Sequence, residues 1–485
     1  MTGTLPPEDA RALVAIDLGA ESCRVSLLRW HESTPRIEML HRITNGPVQV
    51  GEHLHWPLDR ILAGIEDGLC KAAAAAPEGI RSIAVDGWAV DYVRLDSAGK
   101  PLHPPYCYRD ERTIATKAWM ETIIPPEESF AQTGAQPLRI NTVYQLLADN
   151  KEGIDPLVAW ALLPEYVLHW LGGRRVAEHT NATHTGLVDL ATGDWSRPIF
   201  ERLGLAIDAA PPIVPPGSYV GKLTGKLAEL DAFRDTQLIA PACHDTASAI
   251  AAIPSDLDHT AYIVSGTWSL VGTVIQRPIT SSEAEQAKFT NQGAGAGGYC
   301  FHTNVNGMWV LKQCLDHWSL QGRNVDLPAL ISNAAEVESI PGLIDVDSPP
   351  LLLAGEMPAR INHELENLGL EPIPDEPGNE PIVARVLFAS LASRYATVVR
   401  NLESFTGRKF QRITILGGGS RNALLRRLTE ESTGLPVFPG EAEGSTMGNF
   451  AIQLAVGDAS HVAGQPPASQ LLRSWATLLA NNEAS

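Results

Sequence analysis

Two stretches lying half a chain apart share one local pattern, and it constrains the fold more than anything else in the sequence. Leu13-Val14-Ala15-Ile16-Asp17 is a short β run, followed by Leu18-Gly19-Ala20-Glu21-Ser22 and a second β run from Arg24 to Leu28. Tyr262-Ile263-Val264 likewise runs into Ser265-Gly266-Thr267 and out through Ser269-Leu270-Val271-Gly272. Strand, small polar turn and strand make a hairpin. Meeting it twice implies a duplicated architecture, with domains over 1–250 and 251–485.

Ile80 to Val85 reads as a buried strand, and Leu162 to Leu171 as a helix stopped by Gly172-Gly173. Ile413 to Leu416 reads as a strand leading through Gly417-Gly418-Gly419 into a helix over 422–432. Val383, Val386, Leu387, Leu391, Tyr395, Val398 and Leu402 keep helical spacing, which predicts one long core-facing helix. Alternating strands and helices imply a layered α/β fold. The stretch 354–381, rich in Pro, Glu and Asn, reads as a surface excursion.

The chain carries 37 Lys and Arg against 56 Asp and Glu, a net charge of −19. Nucleic acid and anionic membrane surfaces require clustered positive charge, so neither is an expected partner. A phosphate-bearing ligand must then be held locally, by backbone N–H groups, a metal or single side chains. Six cysteines without a C-x-x-C pair indicate neither a zinc site nor a disulfide framework, and a reducing cytoplasm is the expected compartment. Residues 1–12 lack the basic and apolar stretches of a secretory signal, and no uninterrupted apolar run reaches the roughly 18 residues of a membrane span.

A strand closing on three glycines before a helix offers unpaired N–H groups to phosphate, so Gly417 to Gly419 read either as a nucleotide-binding turn or as a tight structural one. Asp17, at the end of the first strand, suits either a turn or a Mg²⁺ ligand beside phosphate-binding amides. Together with the 265–267 turn it would clamp a triphosphate. No G-x-x-x-x-G-K-[ST] is present, and the glycine-rich segment 293–298 reads as a flexible loop. Asp245, ahead of the small apolar run 247–253, is either a helix N-cap or a general base that takes the proton of an attacking hydroxyl. The run Asp86-Gly87-Trp88-Ala89-Val90-Asp91 follows the 80–85 strand, so its polar and aromatic groups emerge at the end where α/β sheets bind ligands. The run Tyr108-Arg109-Asp110-Glu111-Arg112 serves either a polyol or an internal ion-pair network, and His53 and His55 read as solvated loop residues.

Taken jointly, these residues resemble the FGGY family of carbohydrate kinases and, within it, the rhamnulokinase branch. Asp17-Leu18-Gly19-Ala20 is similar to the family's first phosphate motif, Ser265-Gly266-Thr267-Trp268-Ser269-Leu270 to its second, and Gly417-Gly418-Gly419-Ser420-Arg421-Asn422 to its adenosine motif. His244-Asp245-Thr246-Ala247-Ser248-Ala249 resembles the catalytic motif. Tyr108-Arg109-Asp110, Thr180-Asn181-Ala182 and Phe289-Thr290-Asn291 match as well.

The resemblance implies an α/β chain of two actin-like ATPase (ribonuclease H-like) domains with an interdomain cleft, the sugar held mainly by the first and ATP mainly by the second. It implies ATP- and Mg²⁺-dependent phosphorylation of a ketose, L-rhamnulose, at its primary O1 hydroxyl, with Asp245 as base and Asp17 toward Mg²⁺. It places Trp88, Ala89, Asp91, Arg109, His244, Asp245, Thr246 and Asn304 on the sugar. It places Gly19, Ala20, Glu21, Ser22, Cys23, Gly266, Thr267, Lys312, Gly417, Gly418, Gly419 and Asn422 on ATP.

The chain departs from the family at four points. Glu21-Ser22-Cys23 stands for Ser-Ser-Gly, Ala89 for a Gly and Lys312 for a Gln, and the 293–298 loop lacks an acidic residue that the family often carries. L-fuculose, L-ribulose and L-xylulose are therefore alternative substrates. A non-catalytic sugar sensor is a reading from another class. So is an actin- or Hsp70-like ATPase, which has no use for the sugar-side motifs.

Overall fold

A computed structural model describes residues 9–32 and 34–483. The first eight residues, on which part of the N-terminal reading rests, lie outside the described residues. The chain forms two compact units. Unit 1 takes the chain up to Ser255, then Ile275–Phe301 and Glu443–Ser485, and unit 2 takes Asp256–Val274 and His302–Ala442. The two units interleave along the chain, and the C-terminal helices belong to unit 1. The physical reason is the helix Gly444–Val456, whose buried face includes Met447, Phe450, Ala451 and Leu454 and which packs on the unit 1 sheet.

That sheet has six strands: β1 (Ala12–Leu18), β2 (Ser22–His31), β3 (Thr34–Thr44), β4 (Ile80–Gly87), β5 (Ser218–Lys222) and β6 (Gln237–Ala240), in the order β5-β6-β4-β1-β2-β3. β1 to β3 are antiparallel, whereas β1, β4 and β6 run parallel. Every residue of β1 and β4 is buried, as expected of parallel strands covered on both faces. Alternate side chains of β1 feed two cores. Val14 and Ile16 join the cluster of the helix Leu58–Ala75, and Leu13 and Ala15 join that of Met447 and Phe450.

Gly448 is forced by this packing. A Cβ there would overlap the Ser248 carbonyl, so only glycine lets the Gly444–Val456 helix cross the short helix Asp245–Ala251 at backbone contact. The 293–298 segment is a tight turn rather than a flexible loop: the strand Phe289–Gly293 ends there, and Ala294 N–H donates to the Gly298 carbonyl across 3.1 Å. Near 162 the helix begins one residue later than its apolar run, because Trp160–Leu162 pairs as a strand with Tyr92–Arg94.

In unit 2, β7 (Thr260–Ser265) pairs antiparallel with β8 (Trp268–Ile275) and parallel with β9 (Arg412–Leu416), and β10 (Val437–Pro439) runs parallel beyond β9. The long helix predicted from spacing is Glu380–Thr406. It is long and apolar enough to cross a membrane, with a mean hydropathy of 1.5 over its best window, yet 67% of that window is buried within the protein. Val383, Leu387, Leu391 and Leu402 all lie in its buried face. The 354–381 stretch is not wholly a surface excursion. It holds the helix Met357–Asn367, whose Met357, Ile361 and Leu365 are buried at four-residue spacing beneath polar neighbours.

Candidate functional site

Parallel pairing brings the carboxylates of unit 1 together. In the β1–β4 register Asp17 is the partner of Asp86, and Gly87 in turn bridges to His244, the residue before Asp245. Three aspartates thus sit at or just beyond the carboxyl ends of β1, β4 and β6, the end at which parallel sheets bind ligands. Asp17 Oδ2 accepts from Arg24 Nη1 (3.0 Å) and Ser445 Oγ (2.8 Å), while Asp86 Oδ2 accepts from Asn449 Nδ2 (2.6 Å). Asp86 Oδ1 is buried with no hydrogen-bond partner.

Burial pushes Asp17 up to about 6, with Arg24 pulling against it, and it holds Asp86 well above the ordinary carboxylate range, with the charges of Asp17 and Asp245 adding to the rise. Sequence reasoning put Asp86 at the ligand-binding end of its strand without pairing it to Asp17, and it missed Ser445 and Asn449. The one signal was a polar stripe, Ser445, Asn449 and Gln453, spaced by four in an otherwise apolar helix. Gln453 completes the stripe, donating to the Val14 carbonyl (3.0 Å) and accepting from Ser82 Oγ (2.6 Å).

Asp245 opens the helix Asp245–Ala251, and His244 rather than Asp245 occupies the N-cap position, without a side-chain cap bond. Two Thr246 donors fall on one oxygen of Asp245, and the His244 ring stands beside the same oxygen. Thr246 N lies 2.5 Å, Thr246 Oγ1 3.1 Å and His244 Nε2 3.4 Å from Oδ1. A third of the Asp245 side chain reaches solvent. Even so, the protein packed around the carboxylate desolvates it enough to push its pKa up to about 6. Burial drives His244 the other way, down to about 3, so its ring is neutral.

The turn carrying His244 is braced by Glu178. This carboxylate accepts from Cys243 N (2.8 Å) and Thr180 Oγ1 (2.5 Å), and Thr180 Oγ1 accepts from His244 N (3.2 Å). Asn181 donates to Glu165 (2.8 Å), so the Thr180-Asn181-Ala182 motif serves as scaffold.

Beyond β4 the chain turns sharply. Val90 has φ +72°, a conformation costly for a β-branched residue, and Thr142 Oγ1 holds its carbonyl at 2.7 Å. Asp91, expected on the sugar, is fully buried instead. Its oxygens are taken by Trp56 Nε1 (2.5 Å), Trp88 Nε1 (3.0 Å), Gln145 Nε2 (3.0 Å) and Tyr108 N (3.2 Å). Asp91 therefore orients the Trp88 ring, while Trp88 and Ala89 keep 6% and 8% exposure at the loop surface.

The 108–112 run divides between its two readings. Arg112 forms a buried ion pair with Asp149 (2.8 Å), and Asp110 pairs with His53 (3.1 Å); Arg109 is exposed. His55 is not a solvated loop residue: it is buried, with Nδ1 on the Pro104 carbonyl and its ring against Tyr106.

At the β1–β2 turn, Gly19 and Ala20 are half-buried and Glu21 is exposed. Asn45 braces the turn through the Gly19 carbonyl (3.0 Å). Ser22 begins β2. Cys23, expected toward ATP, points into the unit 1 core at 0% exposure, and burial pushes its thiol up to about 12. Only its backbone is left for a ligand.

Unit 2 builds its turns from backbone. Gly266, Thr267 and Gly418 are exposed, and the 417–419 turn packs directly on Ser265. A Cβ at Gly419 would overlap the Ser265 side chain, and Gly417 has φ +74°. Asn422 caps the helix Ala423–Thr433, its Oδ1 accepting from Leu425 N (3.0 Å). Asn304 is an exposed position in an otherwise buried strand. Lys312, expected on the nucleotide, lies on an exposed helix face in an ion pair with Asp316 (2.6 Å).

Two family models match the chain: the N-terminal domain of the FGGY family of carbohydrate kinases over residues 12–252, and the C-terminal domain of the same family over residues 261–456. The chain belongs to the FGGY family of carbohydrate kinases. It is an ATP-dependent sugar kinase. A curated relative, a rhamnulokinase of Bacteroides thetaiotaomicron, is 33% identical over 454 residues, covering 93% of this chain and 92% of its own. FGGY kinases share the fold. A xylulose kinase from Rhodospirillum rubrum superposes with a TM-score of 0.75 at 17% identity over 98% of this chain and 99% of its own. A Plasmodium falciparum glycerol kinase with ADP gives 0.75 at 14% identity, over 97% and 92%. At such identities the likeness establishes the actin-like ATPase fold alone.

Proposed function

We propose that this FGGY kinase transfers the γ-phosphate of ATP to the primary O1 hydroxyl of L-rhamnulose, with Asp245 as general base. The observation that carries the reading is that both Thr246 donors fall on Asp245 Oδ1, which leaves Oδ2 to take a proton at a pKa raised to about 6. The name of the Bacteroides relative and the His244-Asp245-Thr246 triplet support the choice of sugar.

In the reaction, the O1 proton passes to Asp245 Oδ2 while the O1 electron pair forms the bond to the γ-phosphorus. The bond from that phosphorus to the β,γ-bridging oxygen breaks, and its electrons leave on ADP. Such transfer is governed by positioning and charge stabilisation. His244, Thr246, Trp88, Ala89, Arg109 and Asn304 are assigned to the sugar, with Asp91 acting through Trp88. The backbone of Gly19 to Cys23, Gly266, Thr267 and Gly417 to Gly419 is assigned to ATP, together with Asn422 and Lys312.

The residues present fit a divalent cation. Three acids oppose a single Arg24, and a buried Asp86 oxygen lacks a donor. Among the described residues no three His, Cys, Asp or Glu side chains could hold a metal unaided. Mg²⁺ is suited to such a site, since it is usually bound by one or two carboxylates plus phosphate oxygens and water. Asp17 would hold it, and its chemistry is to neutralise charge developing on the phosphate oxygens. The cytoplasm is the compartment this reading takes, supported by the use of ATP.

Ala89 favours a second reading, since a methyl where the family has a Gly narrows the sugar side toward another ketose. A panel of L-rhamnulose, L-fuculose, L-ribulose and L-xylulose with ATP, followed by ADP release, decides. L-rhamnulose is expected to give the highest kcat/KM, and equal values across the panel would overturn the assignment.

A further inference from the structure

We propose that Gln292 and His184 are positioning residues that act through His244 to fix which oxygen of Asp245 is held and which is left free; this rests on Asp245 being the base. Four side chains form a line within unit 1. Gln292 Nε2 is 2.9 Å from His184 Nδ1, His184 Nε2 is 3.0 Å from His244 Nδ1, and His244 Nε2 is 3.4 Å from Asp245 Oδ1. The two rings lie 3.9 Å apart between centroids.

The polarity of this line is set from its charged end. His244 is neutral and carries a single N–H. With a carboxylate oxygen facing Nε2, that proton belongs on Nε2, since a lone pair there would oppose an anion. Nδ1 of His244 is then an acceptor, so His184 must present Nε2–H. Nδ1 of His184 is then also an acceptor, and it needs a donor. The amide nitrogen of Gln292 supplies it, and an amide is one of the few neutral side chains able to do so.

Reversing one link reverses all three and puts a lone pair against Asp245. The ends are held in register, because Gly293 N–H donates to Thr183 Oγ1 (2.8 Å), tying the residue after Gln292 to the residue before His184. The consequence falls on Asp245. A His244 N–H pointed at Oδ1 from 3.4 Å adds its dipole to the two Thr246 hydrogen bonds there, and Oδ2 becomes the more basic oxygen.

Full-length protein labelled with ¹⁵N-histidine reports the tautomers directly by long-range ¹H–¹⁵N correlation. In the unmodified protein, both His184 and His244 are expected as Nε2–H forms. Finding Nδ1–H at His244 overturns the proposal without recourse to any variant. Gln292→Glu, measured at pH 8 where the new carboxylate is ionised, can only accept; it is expected to switch both rings to Nδ1–H. Loss of the correct tautomer in a Ser-His-Asp triad costs about 10⁴ in kcat. One ring further removed, we expect at least a tenfold loss in kcat with KM for the ketose within about twofold.

Gln292→Met keeps the volume and removes the polarity, leaving the tautomers mixed and the loss in kcat smaller than with Glu. Equal losses in the two variants, or unswitched rings in Gln292→Glu, would mean that Gln292 only fills space. Asp245→Asn with full turnover would instead remove the base reading and leave the tautomer result standing, so the two failures are distinguishable.

Discussion

The hairpin turn of unit 1 and that of unit 2 start from the same strand pattern and end with opposite chemistry. In unit 1 the first strand closes on Asp17, and its parallel neighbour brings Asp86 alongside. In unit 2 the first strand closes on Ser265, and its parallel neighbour brings Gly417 to Gly419 against it. One turn collects carboxylates whose protonation is raised by burial and mutual charge. The other is stripped of side chains so that backbone can approach backbone. One topology thus supplies a charged centre in the first case and an amide cradle in the second, and the residue beside the strand end decides which.

The contrast breaks most visibly at Asp245. Asp245→Asn is expected to lower kcat by roughly 10²–10⁴ while sugar affinity by calorimetry stays unchanged; turnover near the wild-type value would remove the base from unit 1. The raised carboxylates make a second test. Asp17 and Asp245 titrate near 6 in the folded chain, against an ordinary 3.8, so between these values the folded protein holds more protons than the unfolded chain. Stability of the ligand-free protein is therefore expected to fall as pH rises from about 4 to about 7. With Asp245 as the proposed base, turnover is expected to rise over the upper part of the same range. Thermal melts and kcat/KM profiles read the two trends separately.

On the glycine side, Gly419→Ala drives a methyl into Ser265. It is expected to cost about 1–3 kcal/mol by overpacking and to raise KM for ATP, with ketose affinity intact. Asn449→Ala strips Asp86 of its donor and is expected to cost about 1–3 kcal/mol in denaturant titration. The smallest effect belongs to Lys312→Ala. Its exposed pair with Asp316 is worth roughly 0.3–0.5 kcal/mol, and ketose affinity should not move.

Much of this was legible before the structure. Both hairpins, the Ile80 strand and the 380–406 helix followed from local periodicity, because their apolar residues repeat at the spacing their own secondary structure demands. The His244-Asp245-Thr246 helix start was also plain, although whether the aspartate caps or reacts was not: position alone cannot say which donors converge on an oxygen. Asp91 shows the same limit, since a carboxylate saturated by two tryptophans looks identical in sequence to one that faces a ligand. Asn449 and Gln453 were out of reach for another reason: Asn449 meets Asp86 across 363 residues of chain and Gln453 meets Val14 across 439. The Met357–Asn367 helix was hidden by composition, its three buried residues masked by acidic and amide neighbours.

Those long-range contacts bear on how the protein is made. Asp17 and Asp86 emerge early from the ribosome, but the helix that covers them and donates to both, Gly444–Val456, is synthesised more than 350 residues later. Domains generally fold as units in the order of their synthesis. Here unit 1 cannot cover one face of its sheet with Gly444–Val456 until unit 2 has been translated in full. The nascent chain must therefore carry Leu13 and Ala15 without the helix that covers them, Asp86 without its Asn449 donor and Asp17 with Arg24 but without Ser445, for most of its synthesis. A protein stalled before residue 443 would be expected to engage chaperones through that bare face, even though most of unit 1 is already present.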